Sequence, residues 1–488
     1  MVHGRFETRT IMKRTKIVAT LGPASSSMEV LEDMIKAGAD VFRINFSHGS
    51  YENVETQIRN IRALNKKLGL HIAILADLQG PKLRIGVMEN NGVELVAGKE
   101  IIITTKECIG TAERLYITYQ QFPKDVNVGE SILIDDGKLL LTVIDTNGID
   151  EVRAVVSHGG MLSSKKGVNL PNTRISLPCL TEKDLRDLDF ALTHKVDWIG
   201  LSFVRSSEDI RELKMLVRNF GQHVPTRVVA KIEKPDAIKD IDAIIFETDA
   251  LMVARGDLGV EVPMQEVPVI QKMLVRKCLE QSKPVIIATQ MMESMITNIS
   301  PTRAEVNDVA NSVMDGADAV MLSGETSVGN HPARVVAAMS KIIEHVEQES
   351  EVYNRENAAP EVDLRNHRFL SDSICYTAAK MAQRTNASAI VTMTHSGYTA
   401  FKLASHRPKA KIFVFTDNHF ILTTLNLVWG VQGFFYDSDI STDSTIADIK
   451  QILKATGMVK TNDLVINIAS IPLSEKGKTN MIKLSAVE

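Results

Sequence analysis

One pattern recurs eight times along the chain: a short apolar run, rich in β-branched residues, ends abruptly in polar residues. The runs cover residues 16–21, 40–46, 71–77, 196–203, 227–233, 251–257, 284–290 and 319–323, and they predict buried parallel strands. Helical periodicity predicts helices between them at residues 27–37, 51–68, 207–219, 267–281, 301–315 and 331–347. Eight strands that alternate with helices predict a (β/α)8 TIM barrel, with a doubly wound open sheet as the alternative.

A stretch with a different residue pattern, about residues 81–170, interrupts the strand–helix alternation after the third strand. Gly, Asn and Asp turns there separate short alternating runs at residues 93–96, 100–105, 131–134, 139–143 and 151–156. We therefore expect an inserted antiparallel β domain, folded as a small β-barrel. Because it leaves from the carboxyl end of a barrel strand, where active-site loops gather, we expect it to act as a lid.

After residue 347 the chain becomes acidic and irregular, which is typical of a linker, and a second α/β unit follows. A helix at residues 371–385 and strands at 389–394, 412–416 and 464–469 predict an open parallel sheet. The expected division is an N-terminal arm (1–12), the barrel (13–81 and 168–348), the inserted lid (82–167), the linker (349–366) and a carboxyl-terminal α/β domain (367–488).

Charge and cysteine content narrow the class of protein. The 488-residue chain has a net charge of −4, so no basic surface argues for a nucleic-acid or anionic-membrane partner. It has no apolar stretch of membrane-spanning length, and its first 12 residues lack the apolar centre of a signal peptide. Scattered cysteines fit inert thiols in a reducing cytoplasm better than a zinc site or a disulfide framework. They are Cys108, Cys179, Cys278 and Cys375.

The polar ends of two successive strand candidates indicate the chemistry. Lys231 and Glu233 end one run, and Asp257 ends the next. Two carboxylates one strand apart can share a hard divalent ion such as Mg²⁺. A nearby lysine then favours transfer of an anionic group, most plausibly phosphoryl. The alternative is that these residues form only structural salt bridges at strand ends.

Seven motifs at strand ends or in the loops that follow them resemble, in order, those of the pyruvate kinases, and the resemblance covers residues 13–488. They are Arg43-Ile-Asn-Phe-Ser-His-Gly49, Lys166-Gly-Val-Asn-Leu-Pro171, Ala230-Lys-Ile-Glu233, Ala254-Arg-Gly-Asp-Leu-Gly259, Ala288-Thr-Gln-Met-Met-Glu-Ser-Met295, Pro301-Thr-Arg-Ala-Glu305 and Met321-Leu-Ser-Gly-Glu-Thr326. The family fold is a TIM barrel with an inserted β lid and a carboxyl-terminal α/β domain, so the resemblance implies the same architecture.

The resemblance also implies an activity: the phosphoryl group of phosphoenolpyruvate moves to ADP, and the enolate is then protonated to pyruvate. It places Lys231, Arg43 and Arg84 on the phosphoryl group, where an arginine fork suits phosphate oxygens. Glu233 and Asp257 would hold Mg²⁺, for which Mn²⁺ can substitute. The backbone of the turn at Ala254, Arg255, Gly256 and Asp257 would bind the substrate carboxylate.

For the protonation step the family places a threonine near the substrate methylene, here Thr289, acting through water with Ser323 and Glu325. The alternative is that Thr289 only binds the carboxylate, because its hydroxyl is weakly acidic. The nucleotide would contact Asn45, His48, Arg84 and Lys166. For His48, a capping or packing role is the alternative.

One motif departs from the family pattern. The usual Asp-Thr-Lys-Gly-Pro-Glu-Ile-Arg is here Asp77-Leu-Gln-Gly-Pro-Lys-Leu-Arg84. The family's K⁺ would be held by Asn45, Ser47, Asp77 and the carbonyl of Leu78, but Lys82 replaces the acidic residue. A tethered ammonium group can supply the charge of a monovalent ion, so we expect that K⁺ is not required. The alternative is that Lys82 points to solvent and K⁺ binds as usual.

Family members often bind a phosphorylated effector in the carboxyl-terminal domain and form two-fold symmetric tetramers. A hydroxyl-rich turn at a helix start is the candidate effector loop here, and simple helix capping is its alternative. Its residues are Thr392, Thr394, Ser396, Gly397 and Thr399. The rival functions are another Mg²⁺-enolate barrel, such as a lyase or aldolase acting on pyruvate-like acids, and a catalytically inactive scaffold.

Overall fold

The computed structural model describes residues 13–47, 49–220, 225–355, 359–360, 362–363, 366, 368–437, 442–471 and 479–488. The predicted N-terminal arm and His48 lie outside these residues. None of the helices in the described ranges combines the length and the apolar character that crossing a bilayer requires.

The first three strands of the barrel alternate with two capped helices. Ser27 and Ser50 cap the helix starts by accepting the N–H groups of Val30 and Asn53, and Gly69 ends the second helix in the left-handed region. The elements are β1 (Lys16–Thr20), α1 (Met28–Ala37), β2 (Val41–Asn45), α2 (Tyr51–Leu68) and β3 (Ala73–Asp77).

The chain then forms the predicted β insertion. Its elements are β4 (Gly92–Leu95), β5 (Glu100–Thr104), β6 (Arg114–Tyr116), α3 (Phe122–Asp125), β7 (Ser131–Ile134), β8 (Leu139–Thr146), β9 (Glu151–His158), β10 (Gly160–Ser163) and β11 (Val168–Asn169). The predicted small β-barrel is built on a six-stranded sheet, in the order β11-β7-β8-β9-β5-β6, beside a separate β10-β4 pair. Residues 83–86 bridge the two edges of this sheet, because Arg84 pairs with Gly167 next to β11 and Ile85 pairs with Ile117 next to β6.

The barrel resumes after the insertion. Its remaining elements are α4 (Glu182–Thr193), β12 (Trp198–Leu201), α5 (Ser207–Phe220), β13 (Arg227–Ile232), α6 (Pro235–Lys239), α7 (Ile241–Glu247), β14 (Ala250–Ala254), α8 (Arg255–Glu261), α9 (Val267–Glu280), β15 (Val285–Ala288), α10 (Arg303–Asp315), β16 (Ala319–Leu322), α11 (Gly324–Ser327) and α12 (Pro332–Val346). Eight parallel strands close in the order β1-β16-β15-β14-β13-β12-β3-β2, which confirms the predicted TIM barrel.

Alternate residues of each strand face the inside of the barrel, because side chains in a strand point to opposite faces. The inward residues belong to one core cluster, which continues into the carboxyl-terminal part of the chain, whereas the outward residues pack against the barrel helices. The inward set includes one residue from each strand in turn: Val18, Val41, Leu75, Trp198, Val229, Met252, Ile286 and Ala319. This alternation determines which later residues of each strand reach the mouth of the barrel.

A carboxyl-terminal α/β unit follows. It consists of α13 (Phe369–Thr385), β17 (Ala389–Met393), α14 (Tyr398–Ser405), β18 (Lys411–Thr416), α15 (His419–Thr424), β19 (Val431–Phe435), α16 (Thr442–Ala455), β20 (Leu464–Ala469) and β21 (Met481–Ala486). The three predicted strands are confirmed as β17, β18 and β20. The sheet order is β19-β18-β17-β20-β21, and β21, which was not predicted, runs antiparallel to β20.

This unit covers the amino end of the barrel. The fully buried Arg407 forms an ion pair with Asp318, just before β16, at 2.9 Å. The indole N–H of Trp198 donates to the carbonyl of Thr424 at 3.3 Å, and the hydroxyl of Thr423 donates to Asp197 at 2.5 Å. Since the amino end is closed in this way, the open mouth at the carboxyl end lies on the side from which the insertion departs.

Candidate active site

Polar side chains continue the inward-facing rows of the barrel at its carboxyl end. Two residues beyond the inward Val41, Leu75 and Val229 come Arg43, Asp77 and Lys231. In the strand register, Asp77 lies beside Asn45 of β2 on one side and beside Gly200 of β12 on the other. The structure therefore joins Arg43, Asp77, Lys231 and Glu233 in one cluster, which we call the charge cluster.

The ammonium group of Lys231 is held by three oxygen atoms. It lies 3.2 Å from Asp77 Oδ1 and 2.9 Å from Glu233 Oε1, and it donates to Ser202 Oγ at 2.7 Å. Burial alone would lower the pKa of Lys231, but Asp77 and Glu233 outweigh burial and raise the pKa above its ordinary value. Lys231 is therefore a fixed positive charge at the mouth of the barrel.

Asp77 binds a second cation through its other oxygen. Arg43 Nε and Nη2 lie 2.6 and 2.5 Å from Asp77 Oδ2, and Arg43 Nη1 donates to Thr20 Oγ1 at 3.1 Å. Burial would raise the pKa of Asp77, but Lys231 and Arg43 together hold the pKa below its ordinary value. The ionised carboxylate thus fixes both cations side by side.

Glu233 and Asp257 are the candidate ligands of a divalent cation. Glu233 is 2% exposed, and its Oε2 accepts the N–H of Phe203 at 2.8 Å. Burial raises the pKa of Glu233 against the opposing effect of Lys231, and the nearby charge of Asp257 raises it further. Across the described ranges, the carboxylate of Asp257 accepts no hydrogen bond and has no ion-pair partner. A divalent ion would relieve the repulsion between the two carboxylates and use the oxygens of Asp257.

The described residues contain no cluster of three or more acidic, histidine or cysteine ligands. The protein would therefore supply two carboxylates, and substrate and water oxygens would complete the coordination, which is the usual arrangement for Mg²⁺.

Thr289 adopts a strained backbone conformation at the end of β15. Its φ is 69° and that of Gln290 is 54°, both in the left-handed region that a β-branched residue rarely occupies. The Thr289 hydroxyl accepts the N–H of Gly256 at 2.7 Å and donates to the carbonyl of Ala288 at 2.6 Å. A Cβ on Gly256 would lie 3.2 Å from the Thr289 hydroxyl oxygen, so glycine permits this close approach.

The side chain of Arg255, a residue of the predicted backbone cradle, is engaged within the protein. Its two terminal nitrogens pair with the two carboxylate oxygens of Asp308 on α10, each at 2.7 Å, and Nη2 also donates to the carbonyl of Thr289 at 2.7 Å. The Arg255 side chain therefore stabilises the strained Thr289 backbone. Of the predicted backbone cradle, the N–H of Gly256 is already bonded to Thr289.

Ser323 and Glu325 lie together after β16. Both oxygens of the buried Glu325 are used, since Oε2 accepts the N–H of Ser323 at 2.6 Å and Oε1 accepts the N–H of Met292 at 3.1 Å. In the part of the chain that the structure describes, the buried Ser323 hydroxyl has no hydrogen-bond partner. A buried hydroxyl without a partner is suited to bind water or substrate.

Arg84 and Lys166 belong to the β insertion and stay apart from the charge cluster. Arg84 donates to the carbonyl of Lys165 at 3.0 Å, and Lys166 pairs with Asp135 at 2.9 Å. Among the residues described, neither side chain contacts Arg43, Asp77, Lys231 or Glu233. The distance of Arg84 and Lys166 from the charge cluster therefore depends on the placement of the insertion.

The candidate monovalent-cation residues are only partly assembled. Asn45 Oδ1 accepts the N–H of Ser47 at 3.0 Å, and the carbonyl of Leu78 accepts the hydroxyl of Ser202 at 2.7 Å. Lys82 is exposed, and no hydrogen bond or ion pair of its side chain is found within the described ranges. Its Cε lies 3.6 Å from the position of a Cβ on Gly167, so it points toward the insertion.

In the candidate effector loop the hydroxyl groups mostly bond to one another. Thr392 and Thr399 share a hydrogen bond of 2.8 Å, and Thr394 accepts the N–H of Gly397 at 3.0 Å. Gly397 has φ 81° and precedes α14, while Ser396 is exposed. These contacts resemble helix capping, and effector binding stays a prediction.

Three site residues were not predicted: Ser202, which contacts Lys231; Thr20, which contacts Arg43; and Asp308, which holds Arg255. Ser202 and Thr20 continue the inward rows of β12 and β1, so the alternation that places Lys231 could have found them. Asp308 lies within α10, and no feature of its sequence surroundings distinguishes it from an exposed helical residue.

Known proteins resemble the chain over both of its large units. A family model described as "Pyruvate kinase, barrel domain" matches residues 12–336, and one described as "Pyruvate kinase, alpha/beta domain" matches residues 372–485. The chain belongs to the pyruvate kinase family. As a member of this family it is an enzyme, a phosphotransferase.

Individual pyruvate kinases match along nearly the whole chain. That of Corynebacterium efficiens is 43% identical over 471 residues, covering 96% of this chain and 97% of the relative. That of Mycobacterium tuberculosis is 41% identical over 475 residues, covering 97% and 98%. The crystal structure of a pyruvate kinase from Cryptosporidium parvum superposes with a TM-score of 0.91 at 31% identity, covering 99% of this chain and 98% of that one. Pyruvate kinases generally use Mg²⁺ and usually K⁺.

Proposed function

We propose that this chain transfers the phosphoryl group of phosphoenolpyruvate to ADP and releases pyruvate and ATP. The observation that carries the proposal is the charge cluster, in which Asp77 fixes Lys231 and Arg43 at the mouth of the barrel. Fixed positive charge is what phosphoryl transfer needs, because the transition state spreads negative charge over the phosphoryl oxygens.

In the transfer step, Lys231 and Arg43 stabilise the phosphoryl oxygens, and Arg84 and Lys166 reach the nucleotide and phosphoryl groups when the insertion closes as a lid. Asn45 and His48 are the remaining nucleotide contacts proposed. Mg²⁺ bound by Glu233 and Asp257 would supply positive charge to the substrate and phosphoryl oxygens. Because Lys231 is already held by protein oxygens, little reorganisation is needed when the phosphoryl group passes.

In the second step the enolate takes up a proton at its methylene carbon. Thr289 is held beside the turn that carries Asp257, and the buried Ser323 hydroxyl lacks a partner in the described residues. A water molecule between the two hydroxyls would deliver the proton, with Glu325 orienting the Ser323 backbone. The alternative in which Thr289 only binds the substrate carboxylate shares this geometry.

The first experiment asks for the activity itself. Purified protein with phosphoenolpyruvate, ADP and Mg²⁺ or Mn²⁺ should form pyruvate, followed in a coupled assay, and chelation of the metal should abolish turnover. Absence of pyruvate at saturating substrates and metal would contradict the proposal. Metal-dependent aldol or lyase chemistry on pyruvate-like acids, without phosphoryl transfer, would favour the rival enolate enzyme.

The second experiment separates the two chemical steps. Lys231→Met should cost about 3 kcal/mol or more of transition-state stabilisation and nearly abolish phosphoryl transfer. Exchange of the methyl protons of pyruvate with solvent should survive better, because enolisation depends more on the metal than on this lysine. The matched control is Lys239→Met, which removes an exposed lysine from the next helix.

The role of Lys231 is wrong if Lys231→Met keeps phosphoryl transfer within roughly tenfold of wild type, a difference of about 1.4 kcal/mol. A thermal unfolding scan of both variants separates loss of chemistry from loss of fold.

We also propose that activity does not require K⁺, because Lys82 supplies the monovalent charge. The support is that Lys82 stands four residues after Leu78 with no side-chain partner in the described residues, and that Asp77 already carries two cationic partners. A bound K⁺ would have to compete with Arg43 and Lys231 for that carboxylate. In this structure Lys82 points toward the insertion, so the proposal requires it to turn inward when the lid closes.

Turnover in tetramethylammonium buffer, with and without K⁺ at matched ionic strength, tests this idea. Wild type should be equally active in both buffers. Lys82→Glu should lose activity without K⁺ and regain much of it when K⁺ is added. Strong K⁺ activation of wild type would show that Lys82 does not replace the ion.

We propose further that the chain forms a two-fold symmetric homotetramer. Large apolar side chains are exposed on barrel helices and loops, including Phe246, Met264 and Val269, each at least 70% exposed. Light scattering at micromolar concentration should report four chains, and a monomer alone would contradict the proposal. The cytoplasmic location stays a prediction, consistent with four free cysteines.

A further inference from the structure

Three separate segments of the chain meet at the buried side chain of Glu261. Asn169 Nδ2 donates to Glu261 Oε1 at 2.7 Å, and Lys234 forms an ion pair with the same oxygen. Glu261 is 6% exposed and Lys234 is 8% exposed. We call these three residues the Glu261 junction.

Each segment carries a different part of the enzyme. Asn169 is the last residue of β11, where the chain leaves the insertion, and it is paired with Leu133 of β7. Glu261 ends α8, four residues after Asp257, so the two carboxylates lie on the same face of that helix. Lys234 directly follows Glu233. The junction therefore connects the insertion to the neighbours of both proposed metal carboxylates.

The insertion also lies close to the same helix at a second point. Gly137, in the turn between β7 and β8, has φ 85°, and a Cβ at that position would lie 3.7 Å from Val260 Cγ1. Val260 precedes Glu261, so the insertion lies near two adjacent residues of α8. The Asn169 hydrogen bond is directional, so it favours one relative orientation of the two elements.

The energetics favour Asn169 as the adjustable member of the junction. Lys234 and Glu261 neutralise each other in a buried site, and removal of either one would leave an uncompensated charge. Within the described ranges, Glu261 Oε2 is buried without a hydrogen-bond partner, so Lys234 and Asn169, both on Oε1, are the polar contacts that orient this carboxylate. A neutral amide that donates to a charged acceptor gives a strong hydrogen bond without adding charge.

We propose that Asn169 is a positioning residue, whose hydrogen bond to Glu261 couples the placement of the insertion to the two segments that carry Glu233 and Asp257. This inference rests on the proposed lid and metal site. When the lid sits on α8, this bond sets the orientation over the site of the lid, which carries Arg84 and Lys166, while Glu233 and Asp257 keep their places on the barrel. Without this bond, the lid loses a directional contact with α8, and its orientation over the site is less restricted.

The test uses Asn169→Ala, which leaves the Lys234–Glu261 ion pair intact and so preserves the fold. Phosphoryl transfer, measured as kcat/KM for ADP, should fall about tenfold, because a hydrogen bond to a buried charged group is lost. Exchange of the methyl protons of pyruvate, which needs the barrel but not the nucleotide, should stay close to wild type. In the presence of ADP and Mg²⁺, amide hydrogen exchange at residues 168–172 should be faster in Asn169→Ala than in wild type.

Two further variants make the result specific. Asn169→Asp keeps the side-chain shape but replaces the donor with a second carboxylate, so it should lose at least as much transfer activity as Asn169→Ala. Ser157→Ala is the control, because it removes an exposed hydroxyl contact of 2.8 Å with Thr142 inside the insertion, and it should behave as wild type.

The outcomes separate the positioning role from the proposed function. Loss of transfer with retained proton exchange, in both Asn169 variants but not in Ser157→Ala, supports the positioning role. If the wild-type protein is active, either equal loss of both reactions or wild-type transfer activity in Asn169→Asp overturns the positioning role. Absence of phosphoryl transfer in the wild-type protein would contradict both the proposed function and this inference.

Discussion

The carboxylate of Asp77 is the interaction on which the catalytic end of the barrel depends. It is 1% exposed, and it binds Arg43 through one oxygen and Lys231 through the other. Two cations so close together would repel each other, and the ionised Asp77 between them makes the arrangement stable. The carboxyl-terminal unit can close the amino end of the barrel because the proposed active site lies at the opposite end.

Much of this site can be predicted from the sequence because it follows from the alternation of strand residues. Arg43, Asp77 and Lys231 each continue an inward apolar row, and a closed parallel barrel brings such rows to one mouth. The metal role of Glu233 and Asp257 is predicted from their positions at the ends of two successive strands, and the resemblance adds the roles of Arg43 and Thr289. The predicted α2 agrees with the structure to the residue, because Ser50 is a clear signal for the start of the helix and Gly69 for its end.

The parts that sequence reasoning missed depend on contacts between distant segments. Nothing local shows that Thr289 has a positive φ, since that conformation is held by Arg255 and Gly256 from the preceding barrel unit. For the same reason the ion pair between the side chain of Arg255 and Asp308 was not predicted. The strand β21 was missed because it is a short, partly exposed edge strand with a weak pattern.

The central claim is that Glu233 and Asp257, beside the fixed charge of Lys231, hold the divalent metal at which the reaction takes place. The most direct measurement is anomalous diffraction from crystals grown with Mn²⁺ and oxalate, a stable mimic of the pyruvate enolate. The account predicts an anomalous peak at about 2 Å from carboxylate oxygens of both Glu233 and Asp257, the distance expected for a small divalent ion bound by oxygen. A Mn²⁺ peak that contacts neither carboxylate would contradict it.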